Sequence, residues 1–152
     1  MIRKEKHIVS LLYHNPYLII EENDLIIEKK TEVFLESVGR ADIIFTLEGA
    51  IYIVEVKKGT LKTRVVDQVI RYIDVFKADG HKDVRGIIVG KQPPDSSKLT
   101  AYLEAKNTYR IKPLFLEHDI PIQCKRCSKC NRINFANAHK CRWCGEVLMK
   151  IW

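Results

Sequence analysis

The stretch "GRADIIFTLEGAIYIVEVKKG", residues 39–59, is typical of two apolar β-strands joined by a tight turn. Three charged residues, Asp42, Glu55 and Lys57, interrupt these apolar runs. A charge in a buried strand costs free energy unless another charge or a ligand compensates it. The stretch therefore predicts a β-hairpin that carries a polar site.

The register of this hairpin predicts which charges meet. If residues 48–49 form a two-residue turn, Asp42 lies opposite Glu55, and Arg40 lies opposite Lys57. Facing residues have Cβ atoms about 5 Å apart, so two carboxylates repel each other unless a cation lies between them. Glu55 and Lys57 share one face because strand side chains alternate. Two carboxylates and an ammonium group suit a magnesium or manganese ion and hydrolysis of a phosphodiester.

The rest of the chain alternates helical and extended patterns, which predicts an α/β domain. Residues 3–14 and 64–77 repeat apolar residues at helical spacing, and a third helix after Pro94 has Ser96 or Ser97 as its expected N-cap. Extended segments are expected over 17–20, 24–30, 31–37, 85–90 and 108–117. We expect this domain to cover residues 1–119 and a smaller domain to cover residues 120–152.

Asp42 followed by Glu55-x-Lys57, after a Gly-Arg pair, resembles the motif of the PD-(D/E)xK nuclease superfamily. Gln68 and Tyr72 are similar to the Q-x-x-x-Y element of its RecB-like members. With "HNPYLI", "GRADII", "VEVKKG" and "QVIRY", the chain most resembles the catalytic domain of the archaeal NucS or EndoMS endonucleases. This resemblance implies a restriction-endonuclease-like mixed sheet flanked by helices.

The resemblance also implies roles for individual residues. Asp42 and Glu55 would bind Mg²⁺ or Mn²⁺, and Lys57 would activate water or stabilise the transition state. Gln68 and Tyr72 would support the metal site or the scissile phosphate, although simple core packing is the alternative for Tyr72.

Further residues are implied around this set. Glu5, in the first helix, would complete the catalytic site, with a solvated acid at a helix N-terminus as the alternative. Arg40, Lys58 and Arg71 would contact the nucleic acid. The alternative for the whole motif is an ordinary ion-pair group on a solvated sheet face.

All five cysteines lie between residues 124 and 144. Two C-x2-C pairs, Cys127/Cys130 and Cys141/Cys144, supply four thiolates for one structural Zn²⁺, and the pattern resembles a small zinc ribbon. Pairing of Cys124 with Cys127, which leaves Cys130 spare, is the alternative. Asn131 and Gly145, after the second cysteine of each pair, allow the left-handed turn of a zinc knuckle.

The tail is also strongly basic. The chain carries a formal net charge of +7, and residues 120–152 hold seven Lys or Arg but one acid, Glu146. A basic tail on a nearly neutral body indicates contact with a polyanion, with a merely solvated tail as the alternative. The candidate nucleic-acid-binding residues of the tail are Lys125, Arg126, Lys129, Arg132 and Arg142. The aromatic residues Phe135, Trp143 and Trp152 either stack on bases or cover the core of the ribbon.

Composition limits the class of protein. Hydrophobic residues make up 46% and charged residues 30% of the chain, which excludes a disordered protein. Apolar runs are far shorter than the about 20 residues that cross a bilayer. We expect a cytoplasmic, nucleoid-associated protein that does not bind membranes and acts on DNA in repair, recombination or replication.

Several alternatives remain open at this point. A homodimer is possible, as is a protein partner bound through the ribbon. A non-catalytic nucleic-acid-binding adaptor built on a nuclease core, and a nuclease that cleaves RNA, are the alternative functions.

Overall fold

The computed structural model describes residues 5–21, 24–35, 38–116, 124–136 and 138–148. Its main element is a mixed sheet of five strands in the order β1-β2-β3-β4-β5. The elements of this part of the chain are α1 (Glu5–His14), a short 3-10 helix (Pro16–Leu18), β1 (Ile26–Leu35), β2 (Gly39–Leu47), β3 (Ile51–Thr60), α2 (Thr63–Ala78), β4 (Val84–Lys91), α3 (Ser96–Thr108) and β5 (Ile111–Phe115). The predicted mixed α/β fold class is confirmed.

The β2–β3 hairpin has the predicted register. The two strands pair from Thr46–Ile51 to Ile43–Val54, and the turn is closed by a hydrogen bond from the Leu47 N–H to the Ala50 carbonyl at 2.8 Å. β1 joins the other side of β2 in an antiparallel pairing. The regular pairing ends one position before Asp42 and Glu55, which would face each other if the same register continued.

The remaining strands are parallel to β3. Helix α2 is the crossover between β3 and β4, and α3 connects β4 to β5. α2 buries one apolar face, formed by Val65, Val66, Val69, Tyr72 and Ile73, in a core that also contains residues of β2, β3 and β4. This crossover fixes α2 against the face of the sheet that carries the candidate site.

The approach of α2 to β4 is close at one glycine. A Cβ atom on Gly86 would lie 2.7 Å from Cγ1 of Val69 and 3.1 Å from Cγ1 of Ile111, which is too short for real carbon contacts. The absence of a side chain at Gly86 therefore allows the helix and the sheet to pack at this distance.

The tail forms a separate pair of short strands. β6 (Cys124–Arg126) and β7 (Ile133–Phe135) are antiparallel, and an isolated bridge joins Lys140 to Val147. One turn of the tail therefore lies between β6 and β7, and a second lies between Lys140 and Val147.

The chain divides into two compact units. One unit contains Leu25–His118, and the other combines Met1–Asp24 with Asp119–Trp152. In the second unit, the 3-10 helix packs against β7, and Arg132 forms an ion pair with Glu21 at 2.6 Å. The boundary that the sequence predicts between residues 119 and 120 stays a prediction.

Two local predictions were wrong. Tyr17 and Leu18 are not extended but belong to the 3-10 helix, because Pro16 sets its first turn and the Pro16 carbonyl accepts from the Ile19 N–H. The N-cap of α3 is Asp95 rather than Ser96 or Ser97. The Asp95 carboxylate accepts from the Ser97 N–H at 2.8 Å, since this side chain stands one residue before the helix.

In the part of the chain that the structure describes, no helix is both long and apolar enough to cross a lipid bilayer.

Candidate functional site

The candidate site lies where the β2–β3 hairpin stops its regular pairing. Beyond the Ile43–Val54 pair, the Val56 N–H donates to Oδ2 of Asp42 at 2.7 Å. The carboxylate of Asp42 thus lies against the backbone of the residue that follows Glu55. Glu55 is itself only 2% exposed, and it points to the same face as Asp42 by strand alternation. The hairpin therefore brings the two predicted metal-binding residues to one place on β2 and β3.

Helix α2 reaches this place through Tyr72. The Tyr72 hydroxyl accepts a hydrogen bond from the Gln68 side-chain amide and donates to the Arg40 carbonyl at 3.1 Å. Gln68 and Tyr72 are one helical turn apart, which is why both side chains meet. The predicted Q-x-x-x-Y residues thus contact each other and the start of β2.

Burial of Tyr72, which is 0% exposed, raises the pKa of its hydroxyl above the ordinary value of 10. The hydrogen bond from Gln68 opposes this rise, while the negative charges of Glu55 and Asp42 add to it. The hydroxyl therefore stays protonated near neutral pH and remains a donor. The hydrogen bond to the Arg40 carbonyl places the hydroxyl against β2, two residues before Asp42 in the chain.

The predicted basic residues near the site are half-buried or exposed. Lys57 is half-buried on the same strand face as Glu55, and among the described residues it forms no ion pair with a carboxylate. Arg40, Lys58 and Arg71 are exposed. Each of these side chains is therefore available to solvent at this end of the sheet or on α2.

Glu5, the remaining predicted acid, is exposed in the first turn of α1 and belongs to the other compact unit. Its role in the site stays a prediction.

The four cysteines predicted to bind zinc form a cluster. The sulfur atoms of Cys127, Cys130, Cys141 and Cys144 all lie within 4.8 Å of one another, and the cluster has the size and ligand set of a zinc site. Cys124, the alternative ligand, starts β6 and is not part of this group. The predicted pairing is therefore the one that the structure brings together.

The turns of the two knuckles also agree with the sequence. Asn131 has a φ of 61° and Gly145 a φ of 81°, both in the left-handed region. Backbone N–H groups point at the sulfurs inside these turns, with Lys129 N at 3.3 Å from Cys127 Sγ and Trp143 N at 3.4 Å from Cys141 Sγ. Such donors stabilise thiolates, which are the form that binds metal.

Asn134 connects the two knuckles, although it is not among the predicted site residues. It is 2% exposed, its amide donates to Cys141 Sγ at 3.4 Å, and its Oδ1 accepts from the Arg142 N–H at 2.7 Å. Burial opposes ionisation of Cys141, but the N–H of Cys144 and this amide outweigh it and lower the pKa of Cys141 to about 6. The sequence signal for this role of Asn134 is its position: it interrupts a short apolar strand that precedes a C-x2-C pair.

The predicted nucleic-acid-binding residues of the tail all contact other parts of the chain. Arg142 lies over the ring of Trp143, with Cζ at 5.3 Å from the ring centroid. The other contacts are Lys125 Nζ to the Ala138 carbonyl (2.8 Å), Arg126 Nη1 to the Asn131 carbonyl (2.6 Å), Lys129 Nζ to Glu146 Oε2 (3.5 Å) and Arg132 Nη1 to Glu21 Oε2 (2.6 Å). These cations therefore help to hold the ribbon together, whatever else they bind.

The aromatic residue Trp143 belongs to the ribbon core. Its Nε1 donates to the Ile133 carbonyl at 2.9 Å, and Arg132 lies over its ring at 5.6 Å. This matches the alternative in which Trp143 covers the core. Trp152 lies outside the described residues.

Comparisons with known proteins identify relatives of this chain. The family model of the endonuclease NucS C-terminal domain matches residues 4–128. A solved structure described as a repair endonuclease from Pyrococcus abyssi is 26% identical, with a TM-score of 0.57, and the match covers 77% of this chain and 48% of that one.

Two structures of EndoMS have a similar fold. One is an EndoMS–dsDNA complex, with 18% identity and a TM-score of 0.57, and the match covers 76% of this chain and 46% of that one. The other is EndoMS in apo form, with 19% identity, a TM-score of 0.56 and coverage of 78% and 48%. The chain thus spans about half the length of these solved chains. No match was found among curated proteins.

Proposed function

The chain belongs to the family of the endonuclease NucS C-terminal domain, and from this premise we propose that it is a metal-dependent DNA endonuclease of the PD-(D/E)xK type that acts in DNA repair. The observation that carries the proposal is the carboxylate pair on the hairpin. Asp42 Oδ2 accepts from the Val56 N–H at 2.7 Å, and Glu55 is buried beside it.

The donor set fits a hard divalent cation. A carboxylate as deeply buried as Glu55 is costly unless a positive charge compensates it, and a second carboxylate nearby increases this cost. Asp42, Glu55 and the Val56 carbonyl would supply oxygen ligands, which are the ligands that Mg²⁺ and Mn²⁺ prefer. When bound, the ion lowers the pKa of a coordinated water and offsets the charge that develops on the scissile phosphate.

The other residues act around this pair. Lys57, on the same strand face, activates the water or stabilises the negative charge of the transition state. Gln68 and Tyr72 hold the first residues of β2, and Arg40, Lys58 and Arg71 contact phosphates of the substrate. Glu5 would act as the third acid.

The cysteine cluster binds one structural Zn²⁺ in this proposal. Its four sulfur ligands leave no open position for substrate, so the zinc stabilises the fold of the tail and does not take part in hydrolysis. The tail would then bind DNA or a protein partner. A homodimer, in which two sites cut both strands, and a location in the cytoplasm at the nucleoid belong to the same proposal.

Cleavage of supercoiled plasmid and of labelled duplex, single-stranded, flap, mismatched and four-way DNA tests this function. Wild-type protein with Mg²⁺ or Mn²⁺ should cleave at least one of these substrates, and Asp42→Ala should lower the rate about 100-fold or more, as loss of a group that stabilises the transition state does. The matched control is Asp79→Ala, which removes an exposed carboxylate at the end of α2 and should leave the rate unchanged.

Three results would contradict the proposal. Equal cleavage by wild type and Asp42→Ala would remove the catalytic assignment of the hairpin. DNA binding without cleavage under either metal would favour the adaptor, and cleavage of RNA in preference to DNA in a competition assay would change the substrate.

A further inference from the structure

The segment between the catalytic strand and the next helix is unusually basic. Residues 57–64, "KKGTLKTR", contain four basic and no acidic residues, and the next acid after Glu55 is Asp67. This segment includes the end of β3, the connecting loop and the first turn of α2. Glu55 and this basic segment therefore lie on one continuous stretch of backbone.

The end of β4 adds another cation to the same place. Lys91 pairs with Thr60, and its carbonyl accepts from the Leu61 N–H at 3.0 Å. The Lys62 carbonyl accepts from the Tyr102 hydroxyl at 2.7 Å, so α3 fixes the backbone of the loop. The side chains of Lys62, Arg64 and Lys91 are exposed on this fixed backbone. We call these three residues the loop cations.

The loop cations differ from those of the tail. Within the described ranges, none of Lys62, Arg64 and Lys91 forms an ion pair, whereas each candidate cation of the tail contacts another part of the chain. Positive charges at a helix N-terminus are also unfavourable for the helix, and the first turn of α2 has no acidic residue to offset them. Helix stability therefore does not explain why the loop cations are there.

We propose that the loop cations bind the sugar-phosphate backbone of duplex DNA and lead it to the carboxylate pair. This inference rests on the proposed function and goes beyond it, because it assigns the main substrate contact to the β3–α2 loop and not to the tail. Thr60 is five residues from Glu55, at most about 16 Å along an extended strand. This distance corresponds to about five base-pair steps of a duplex.

Salt-dependent binding tests the surface without cleavage. The probe is a fluorescent 20-base-pair duplex, and anisotropy is measured between 50 and 200 mM KCl without added divalent metal on an Asp42→Asn background. Each phosphate contact contributes about 0.9 to the slope of log K against log salt. The variant Lys62→Ala/Arg64→Ala/Lys91→Ala should therefore lower the magnitude of this slope by about 2.7.

The matched control removes the same charge from the opposite end of β4. Lys77, Lys82 and Lys106 are exposed, and Lys77 lies thirteen residues from Arg64 in α2, which is about 20 Å. The variant Lys77→Ala/Lys82→Ala/Lys106→Ala should keep the slope of the parent. If the triple loop variant is poorly folded by thermal unfolding, Lys91→Ala alone should lower the slope by about 0.9.

The outcomes separate this surface from the nuclease activity. An unchanged slope in the loop variants, or an equal loss of slope in the control variant, overturns the proposal that the loop cations bind DNA, even if wild type cleaves DNA. The expected loss of slope, in a protein whose wild type does not cleave, supports the surface and contradicts the proposed function instead.

Discussion

Tyr72 is the residue that connects the helix to the candidate site. Its hydroxyl joins the Gln68 amide to the Arg40 carbonyl, two residues before Asp42. Gly39, beside it, has a φ of 139°, and a Cβ at this position would lie 3.1 Å from the Tyr72 oxygen. The start of β2 is therefore held by a hydroxyl that fits closely against a glycine.

Removal of this hydroxyl should lower the stability of the fold and raise the metal concentration that cleavage requires. In Tyr72→Phe, the Gln68 amide and the Arg40 carbonyl lose their partner, which costs about 1–2 kcal/mol of the free energy of unfolding. Because β2 then loses its fixation near Asp42, the metal concentration for half-maximal cleavage should rise. Urea unfolding and a Mn²⁺ titration of the cleavage rate measure the two effects.

Tyr102→Phe is the control for this prediction. Tyr102 is also fully buried and donates to a backbone carbonyl, that of Lys62, and burial raises the pKa of its hydroxyl to about 12. Its loss should lower the free energy of unfolding by a similar amount and leave the metal requirement unchanged. An equal rise of the metal requirement in both variants would show that Tyr72 has no special relation to the carboxylates.

The sequence selects candidate residues of the site, but it does not predict their contacts. Asp42 and Glu55 stand out as charges in apolar strands and as parts of a known motif, whereas Gln68 and Tyr72 stand out by motif spacing. That the Tyr72 hydroxyl donates to Arg40, 32 residues away, depends on how α2 packs on the sheet. Local pattern contains no information about such a contact.

At the scale of elements, a prediction held where the sequence allows one local geometry and was wrong where it allows several. The two-residue turn set the β2–β3 register, and the structure has four consecutive pairs of this register, from Thr46–Ile51 to Ile43–Val54. The start of α3 was wrong because three neighbouring residues, Asp95, Ser96 and Ser97, are all good N-caps. Only the backbone conformation, extended at Asp95 and helical after it, selects one of them.

The packing of α2 on β4 provides a test at this scale. Gly86→Ala would place a methyl group 2.7 Å from Val69 and 3.1 Å from Ile111, so the Val69 side chain or the helix that carries it must shift. Overpacking of this kind costs about 1–3 kcal/mol, and urea unfolding should show a loss of this size. Gly49→Ala, in the hairpin turn, has no heavy atom within 4 Å of the added Cβ and should change stability by less than about 0.5 kcal/mol.

A loss in Gly86→Ala no larger than that in Gly49→Ala would mean that α2 does not approach β4 as closely as the structure has it. The hydrogen bond from Tyr72 to the Arg40 carbonyl would then need another explanation, since α2 carries both Val69 and Tyr72.

At the scale of the whole molecule, the ends of the chain combine in one compact unit. Arg132 pairs with Glu21, 111 residues earlier, and β7 packs against the 3-10 helix. The sequence predicted the cysteine cluster from spacing alone, because metal ligands recur at fixed intervals. It did not predict that the tail packs against the N-terminal segment, since an ion pair between distant segments leaves no periodic pattern.

This arrangement predicts that zinc stabilises the N-terminal segment as well as the tail. Zinc binding supplies much of the folding free energy of small metal domains, about 10–16 kcal/mol in zinc-finger peptides. Loss of zinc should therefore unfold β7 and break the hydrogen bonds of Asn134. Arg132 would then no longer be positioned to pair with Glu21. Hydrogen exchange after chelation should increase in Ile133–Phe135 and in Pro16–Leu18, whereas strands of the Leu25–His118 unit keep their protection.

Single cysteine variants separate zinc from chelator effects. Cys127→Ser removes a member of the cluster and should reduce the zinc content below one ion per chain and reproduce the faster exchange. Cys124→Ser is the control, because Cys124 lies outside the cluster, and it should keep one zinc by elemental analysis and the wild-type exchange pattern. Fast exchange of the tail with unchanged protection at Pro16–Leu18 would mean that the N-terminal segment holds its structure without the ribbon, so that the Glu21–Arg132 pair is a surface contact of little energetic weight.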